Sequence, residues 1–399
     1  MRKYVRVFVA LLIMIGLLTG CWSRRELNDL AISVGMGFDK KDDQVQVTIQ
    51  IVNPSEVASK RGGTGLTTPV STFKASSQTI FEAIRKITTQ SPRKVYSSHL
   101  RILVISEVLA REGITPILDG ISRNHEMRSD FYIIVAKGTT AENVLNMLTP
   151  IEKIPSNKLF STLEMSEKVW APTVKVKLDK LISDLQTEGK DPVLTGMQIK
   201  GDPSKGSKKS NLNRTAPHAF LQYSGLAIFK KDKLIGWFNE KESKGYNYII
   251  DNVKSTIGHM NCPAGGILAV EVVRTKTRIK GRVESGKPQI DIDVFLEQNV
   301  SEVQCKIDLL DPQSIEELEK ATKIEVKSII ESAIQKAKKF DADIFGFGEA
   351  IYRADPKYWN ENKDNWKEQF LDLPVHVNTD VKIRRLGTVN DSLKQKIKE

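Results

Sequence analysis

Residues 289–294, Gln289-Ile290-Asp291-Ile292-Asp293-Val294, alternate polar and apolar side chains without exception. This period of two is typical of a β-strand with one buried face and one face in solvent. The polar run Glu284-Ser285-Gly286-Lys287 lies just before it, and another extended stretch, residues 267–283, lies before that run. The pattern predicts a hairpin of two long antiparallel strands with its turn at residues 284–287.

A long amphipathic helix is predicted after this hairpin. Asp311 and Pro312 favour a helix start, because aspartate caps free N–H groups and proline fits the first helical position. Apolar residues then recur at helical spacing to about residue 339. At 1.5 Å per residue the helix would span about 40 Å and cross a whole sheet. With a closing strand pair expected at residues 375–383, residues 218–399 are predicted to form an α+β domain, an antiparallel sheet covered by a long helix.

The rest of the chain mixes strands and helices. Residues 44–51 alternate like a half-buried strand, and residues 100–105 and 131–136 are apolar runs typical of buried strands. We therefore predict an N-terminal α/β region over residues 21–200, with room for two subdomains. Residues 201–217 are rich in Gly, Ser, Lys and Asn, which predicts a polar linker or loop. The predicted fold class is α+β and multidomain, with mixed sheets and packed helices.

The first residues resemble an export signal. A basic patch is followed by an apolar run at residues 7–18 and by Leu18-Thr19-Gly20-Cys21. The run has about twelve residues, whereas a membrane-spanning helix needs about twenty. We predict a lipoprotein signal peptide at residues 1–20, cleaved before Cys21, which would become an S-diacylglycerol and N-acyl cysteine. The alternatives are an ordinary signal peptide with an incidental cysteine, or an uncleaved anchor.

Net charge and cysteine content bear on the binding partners of the chain and on the state of its thiols. The formal net charge of +11 would fall to +8 after cleavage, because Arg2, Lys3 and Arg6 would be lost. A basic protein at a membrane can contact anionic headgroups, although solvated surface lysines explain the charge equally well. Nucleic acid is not an expected partner outside the cell. Cys262 and Cys305 would lie where disulfides can form, but buried free thiols are the expected state.

No catalytic or metal-binding constellation is found in the sequence. Residues 281–288 have phosphate-loop spacing as far as Lys287, but Pro288 replaces the required Ser or Thr and a strand follows, so a hairpin turn is expected. The histidines lack paired-ligand spacing and are scattered along the chain: His99, His125, His218, His259 and His376. Neither an enzyme nor a cofactor nor a metal site is predicted.

Three smaller patterns have competing explanations. Gly35 and Gly37 suggest a strand bend rather than a dinucleotide fingerprint. Asp341 and Asp343 could be paired ligands, but a solvent-facing edge explains them equally. Trp359 and Trp366 are spaced to share one face of a helix, where core packing is favoured over an aromatic binding wall.

Several blocks, in order, resemble one known family. Cys21-Trp22-Ser23-Arg24-Arg25-Glu26-Leu27-Asn28-Asp29-Leu30 and then Gly35-Met36-Gly37-Phe38-Asp39 are similar to the start of the Ger(x)C spore germination lipoproteins. Further agreeing blocks are residues 99–105, 109–114, 225–229 with 233–236, Asp343-Ile344-Phe345-Gly346-Phe347-Gly348, Trp359, Trp366 and residues 381–387. Arg123-Asn124 departs from the Arg-Asp expected there, and residues 201–217 look like a variable insert. The resemblance implies a three-domain mature fold of mixed helix and sheet, with no catalytic residue.

The resemblance also implies the C-type subunit of a nutrient germinant receptor, working beside two integral membrane subunits. Our first hypothesis is a non-enzymatic subunit, anchored by lipid to the outer face of the spore inner membrane, that serves receptor assembly and germination signalling. The alternative is a lipoprotein that binds the small-molecule germinant and presents it to a membrane partner, which would require a pocket with a few convergent polar groups.

Overall fold

The computed structural model describes residues 1–17, 29–58, 68–262 and 265–385. The helices are α1 (Arg2–Leu17), α2 (Pro54–Ala58), α3 (Ile80–Ile87), α4 (Glu107–Glu112), α5 (Thr115–Ser122), α6 (Ala141–Asn146), α7 (Pro155–Val169), α8 (Leu178–Gln186), α9 (Pro203–Gly206), α10 (Glu240–Ile249), α11 (Pro312–Phe340), α12 (Phe347–Ala354), α13 (Pro356–Asn362) and α14 (Trp366–Asp372). Across these described ranges, no helix has both the length and the apolar character that crossing a bilayer requires.

The first sheet occupies the N-terminal half and a little beyond it. Its strands are β1 (Leu30–Lys41), β2 (Gln44–Val52), β3 (Val70–Ser77), β4 (Lys94–Tyr96), β5 (Ile102–Ser106), β6 (Tyr132–Ala136), β7 (Val193–Gly201), β8 (Ala219–Lys230) and β9 (Lys233–Trp237). They follow the order β3-β2-β1-β5-β6-β7-β8-β9, with β4 beside β1. The pairs β1/β4, β1/β5, β5/β6 and β6/β7 are parallel, and the pairs β1/β2, β2/β3, β7/β8 and β8/β9 are antiparallel. Both β5 and β6 are buried along their whole length because helices cover both faces.

The glycines of β1 allow a helix to approach the sheet closely. The pairing of β1 with β2 shifts register between Ser33 and Gly35, so the predicted strand bend is confirmed. A Cβ atom on Gly35 would lie 2.2 Å from Ser156 Oγ at the start of α7. A side chain at this position would therefore push α7 away from the sheet.

Residues 201–217 connect two neighbouring strands of this sheet. Pairing between β7 and β8 extends from Val193 with Ile228 to Gly201 with Ala219. The connection holds α9 and the buried Asn211, whose side-chain amide donates to Leu148 O (3.1 Å) and Ala219 O (3.0 Å). The segment is thus a packed loop, and the sheet continues across it. The division of the chain into domains at this point remains a prediction.

The second sheet contains β10 (Thr256–Asn261), β11 (Ile267–Glu284), β12 (Lys287–Val303) and β13 (Val375–Arg385), in that order. The predicted hairpin is confirmed: β11 and β12 pair as far as Glu284 with Lys287. Ser285 and Gly286 have φ values of 51° and 73°, as a tight hairpin turn requires. Because a strand follows Lys287, the phosphate-loop spacing has no structural counterpart.

The long helix is confirmed as well. The carboxylate of Asp311 accepts hydrogen bonds from the backbone N–H groups of Gln313 and Ser314 at the start of α11. One stripe of the helix is buried against the second sheet and α10: Leu318, Thr322, Val326, Ile330, Ala333, Ile334 and Ala337. The fold class is therefore α+β with two mixed sheets and packed helices, as predicted.

Two predictions about the second sheet were wrong. The sheet is mixed rather than antiparallel, because β13 follows the helical crossover from α11 to α14 and runs parallel to β12. The strand pair expected at residues 375–383 is the single strand β13. The polar residues 378–380 do not form a turn, because they pair in register with β12. The side chains of 378 and 380 face solvent, whereas the Thr379 hydroxyl faces α11 and donates to Lys323 O.

The expectation of free thiols was also wrong, because Cys262 and Cys305 form a disulfide. Cys262 follows the end of β10 and Cys305 follows the end of β12, on either side of the start of β11. The two Cα atoms lie 6.4 Å apart, within the range that a disulfide can bridge.

Candidate functional site at the junction of the two sheets

The structure brings together few of the residues that the sequence singled out. Cys21 lies outside the described residues, so its lipidation stays a prediction. Within residues 1–17, 29–58, 68–262 and 265–385, no group of three His, Cys, Asp or Glu side chains could hold a metal ion. The site that the fold does build lies where the first sheet meets the helices of the second, around Asp343.

Asp343 is the centre of this junction. Its Oδ1 atom accepts hydrogen bonds from the backbone N–H groups of Gly346 and Phe347, both at 3.0 Å. Its Oδ2 atom accepts from Gly348 N (2.8 Å) and Trp366 Nε1 (3.1 Å). The side chain is only 4% exposed. A solvent-facing edge was therefore the wrong explanation for Asp343, which is a buried acceptor that closes the loop before α12.

A second aspartate joins Asp343 from the other half of the chain. Asp191 lies just before β7, and its backbone N–H donates to the Asp343 carbonyl oxygen at 2.7 Å. Its carboxylate accepts from the backbone N–H groups of Asp343 (3.0 Å) and Lys231 (2.8 Å). Asp191 thus links the β8–β9 turn to the start of the C-terminal helices.

The two tryptophans pack inside the junction rather than forming a binding wall. Trp359 and Trp366 are 4% and 7% exposed, and their ring centroids lie 5.2 Å apart in an edge-to-face arrangement. Core packing is confirmed, although the residues lie on α13 and α14 rather than on one helix. A Cβ atom on Gly189 would lie 2.5 Å from Trp359 Cη2, so glycine is needed for this contact.

A cleft of about 1210 Å³ opens beside the junction, and its lining mixes charged side chains with apolar ones such as Ile182 and Leu185. Several of the charged side chains form ion pairs. Lys190 Nζ lies 2.9 Å from Asp184, Lys367 Nζ lies 3.1 Å from Asp341, and Lys230 also pairs with Asp341. Ion pairs therefore neutralise part of the charge that lines the cleft. Because both junction carboxylates accept backbone N–H groups, the arrangement can hold two segments together but presents no base beside a nucleophile.

The junction carboxyls predict a pH dependence of stability. Burial raises the pKa of Asp343 to about 7; the N–H groups of Gly348, Phe347 and Trp366 lower it, and the charge of Asp191 raises it. Because this pKa exceeds the unfolded value, the stabilising contribution is complete at low pH and is lost as the pH rises through about 7. Burial raises the pKa of Asp191 too, with the same sign.

Asp343→Asn should remove this contribution to the pH dependence. Urea unfolding between about pH 5 and about pH 8 should show a free energy of unfolding that falls less with rising pH in the variant than in the parent protein. Identical slopes for the two proteins would contradict the assignment. The variant's lower absolute stability does not affect this comparison, because only the slope is read.

Sequence reasoning missed the junction itself. Asp191 was not singled out, since a lone aspartate before a strand carries no local signal of a partner 152 residues away. The glycines after Asp343 were a usable signal, because backbone N–H groups clustered at glycines often surround a carboxylate.

Comparison with known proteins places both sides of this junction in one family. Residues 23–199 match the family model described as "Spore germination protein N-terminal domain", and residues 224–387 match "Spore germination B3/ GerAC like, C-terminal". Asp191 lies in the first matched segment and Asp343 in the second.

Relatives that match over nearly the whole chain support the same family. Spore germination protein KC of Bacillus subtilis (strain 168) is 34% identical over 400 residues, covering 98% of this chain and 98% of that protein. Spore germination protein B3 of the same organism is 23% identical, covering 97% and 99%. The crystal structure of the GerBC protein shares the fold, with a TM-score of 0.56 at 20% identity over 88% of this chain and 96% of that chain. This chain therefore belongs to the Ger(x)C family of spore germination proteins.

Proposed function

We propose that the chain is the lipid-anchored, non-enzymatic C-type subunit of a spore nutrient germinant receptor. The observation that carries the proposal is the full-length match to spore germination proteins, which covers both halves of the chain. The charged groups at the junction fit a structural rather than a catalytic role, because they are engaged with one another and with backbone N–H groups.

The proposed anchor is Cys21, at the outer face of the spore inner membrane. A diacylglyceryl thioether provides two acyl chains, and an N-acyl group adds a third, whereas one chain alone binds a bilayer only marginally. Confinement to the membrane raises the local concentration of partners without any new contact. The two integral membrane subunits of the receptor are the proposed partners, and the folded domains would assemble with them for germination signalling.

Cys21→Ala tests the anchor. The variant should leave the membrane fraction, and the germination rate of spores that carry it should fall by about tenfold or more, because the effective concentration of the subunit at its partners drops. Spore fractionation and a germination assay measure the two effects. A variant that stays in the membrane fraction and supports normal germination would contradict the proposal.

A rescue variant separates anchoring from folding. Replacing residues 1–20 of Cys21→Ala with an unrelated membrane-spanning helix should restore both membrane association and germination, since only confinement is required. Restored membrane association without germination would mean that the lipid itself, rather than confinement, is needed.

A further inference from the structure

A lysine-rich surface lies where the connection between β7 and β8 packs against the loop before α7. The backbone N–H of Leu148 donates to Gly206 O at 3.0 Å, and the side-chain amide of Asn211 donates to Leu148 O at 3.1 Å. These bonds hold residues 201–217 against residues 147–154. The two segments therefore present one surface, although Leu148 and Asn211 are 63 residues apart in sequence.

This surface carries net positive charge. Four of its basic side chains are exposed: Lys153, Lys205, Lys208 and Arg214. Within the part of the chain that the structure describes, no carboxylate lies within ion-pair distance of any of the four. The two carboxylates nearby cap backbone groups instead. Asp202 accepts from Ser204 N at 2.9 Å, and Glu152 accepts from Ile154 N at 3.3 Å.

The apolar tip of the surface is Ile151, whose side chain is 98% exposed. It stands in a turn closed by the hydroxyl of Thr149, which donates to Glu152 O at 2.6 Å. An isoleucine this exposed contributes no burial to the fold. An apolar side chain next to a lysine such as Lys153 suits the boundary between lipid headgroups and acyl chains, because the lysine can keep its ammonium group among the headgroups.

The proposed anchor would bring a membrane to this end of the fold. Leu148 shares an apolar cluster with Val34, the fifth residue of β1, and Leu212 packs against the same cluster. Asp29, just before β1, follows Cys21 by eight residues, which span at most about 27 Å when fully extended. A lipid on Cys21 therefore holds the start of β1, and with it the surface around Val34, near the bilayer.

We propose that the lysine-rich surface, formed by Ile151, Lys153, Lys205, Lys208 and Arg214, contacts the anionic headgroups of the membrane to which the chain is tethered. A lipid surface fits better than a protein partner, because the cations are dispersed around one apolar side chain and form no large apolar patch. The inference rests on the proposed lipid anchor. Because the acyl chains alone retain the chain at the membrane, this contact fixes the orientation of the folded chain there.

Sedimentation with vesicles tests the surface without the anchor. The mature chain from residue 21 is used with Cys21→Ala, so that no acyl group contributes. It should bind vesicles of phosphatidylcholine with about 30% phosphatidylglycerol at least about tenfold more tightly than vesicles of phosphatidylcholine alone. Equal binding to the two kinds of vesicle, or no binding to either, would overturn the proposal.

A triple variant locates the binding: Lys205→Gln with Lys208→Gln and Arg214→Gln. It should bind the anionic vesicles about tenfold or more weakly, because each Lys or Arg near such a surface contributes about fivefold. Its thermal unfolding temperature should match that of the parent chain, since the three side chains are exposed. Unchanged affinity for the anionic vesicles would contradict the assigned surface.

The matched control removes the same charges from the second sheet. It replaces three exposed basic residues on β11, on β12 and just after β12: Arg278→Gln, Lys287→Gln and Lys306→Gln. A general effect of net charge would weaken both triple variants equally, whereas a local contact weakens only the first. A loss in the control as large as that in the first triple variant would count against a defined lipid-facing surface.

Ile151→Ser separates the apolar tip from the charges. It should bind the anionic vesicles about fivefold more weakly, because the isoleucine no longer enters the membrane boundary. Ile324→Ser is its control, since Ile324 is 72% exposed on α11, away from this surface, and its replacement should leave vesicle binding unchanged. Equal affinities for Ile151→Ser and the parent chain would exclude the apolar contact.

The vesicle assay and the anchor test can fail independently. Spore membranes washed in about 1 M salt, where the Debye length is about 3 Å, retain only a chain held by its acyl groups and so report on the anchor. The vesicle assay is run at low salt on a chain without acyl groups and reports on the surface. Loss of vesicle binding with intact anchoring would overturn this inference alone.

Discussion

Asp343→Ala is expected to lower the free energy of unfolding by about 4 kcal/mol, because four buried donors lose their acceptor together. These donors are the backbone N–H groups of Gly346, Phe347 and Gly348 and the indole N–H of Trp366. None of them can reach water without disturbing the packing of α12 and α14. Urea unfolding of the purified chain at neutral pH measures the change.

Asp341→Asn is the control for this prediction. Asp341 lies two residues away at the end of α11, in the left-handed region that asparagine tolerates, and it pairs with Lys230 and Lys367 near the surface. Its replacement should cost less than about 1 kcal/mol, as for other exposed ion pairs. Equal losses in the two variants would show that the junction is no more important than a surface ion pair.

Removing the disulfide by Cys262→Ala with Cys305→Ala is expected to cost about 4 kcal/mol, because the bond closes a loop with a sequence separation of 43 residues. Alanine avoids placing a hydroxyl in the apolar cluster formed with Met260, Leu268 and Val300. Thermal unfolding with and without a reductant measures the effect. The parent protein should lose stability when reduced, and the double variant should not respond to the reductant.

The reductant response is decisive for this prediction. A parent protein whose unfolding temperature is the same in oxidising and reducing buffer would contradict a stabilising disulfide. A double variant as stable as the oxidised parent would do so too.

The hairpin of β11 and β12 and the long helix could be predicted because each carries a local pattern. The alternation at residues 289–294 lies next to the turn at Ser285 and Gly286 in the sequence. The cap at Asp311 likewise directly precedes the helix that it starts. The direction of β13 could not be predicted from such patterns. It depends on where the chain returns after four helices, and three consecutive polar residues, 378–380, look the same in a turn as in a strand.

The junction around Asp343 was harder to predict from the sequence than the fold. Asp343 stands shortly before Gly346 and Gly348, which hint at a cluster of N–H donors, but its burial follows only from packing with Asp191 and Trp366. The disulfide could not be predicted from local patterns either, since two strand ends far apart in sequence must meet before the cysteines can bond. The family blocks identified the chain because they retain order over its whole length, not because any one of them reveals a site.

We propose that a lipid anchor at Cys21 holds the folded chain beside its membrane partners. Co-purification from detergent-solubilised spore membranes tests it most directly, with the tagged chain as bait and the two integral membrane subunits as the proteins detected. We predict that the parent chain recovers both subunits and that Cys21→Ala recovers them at about tenfold lower yield or less. Equal recovery by the two baits, or no recovery by the parent chain, would contradict the account.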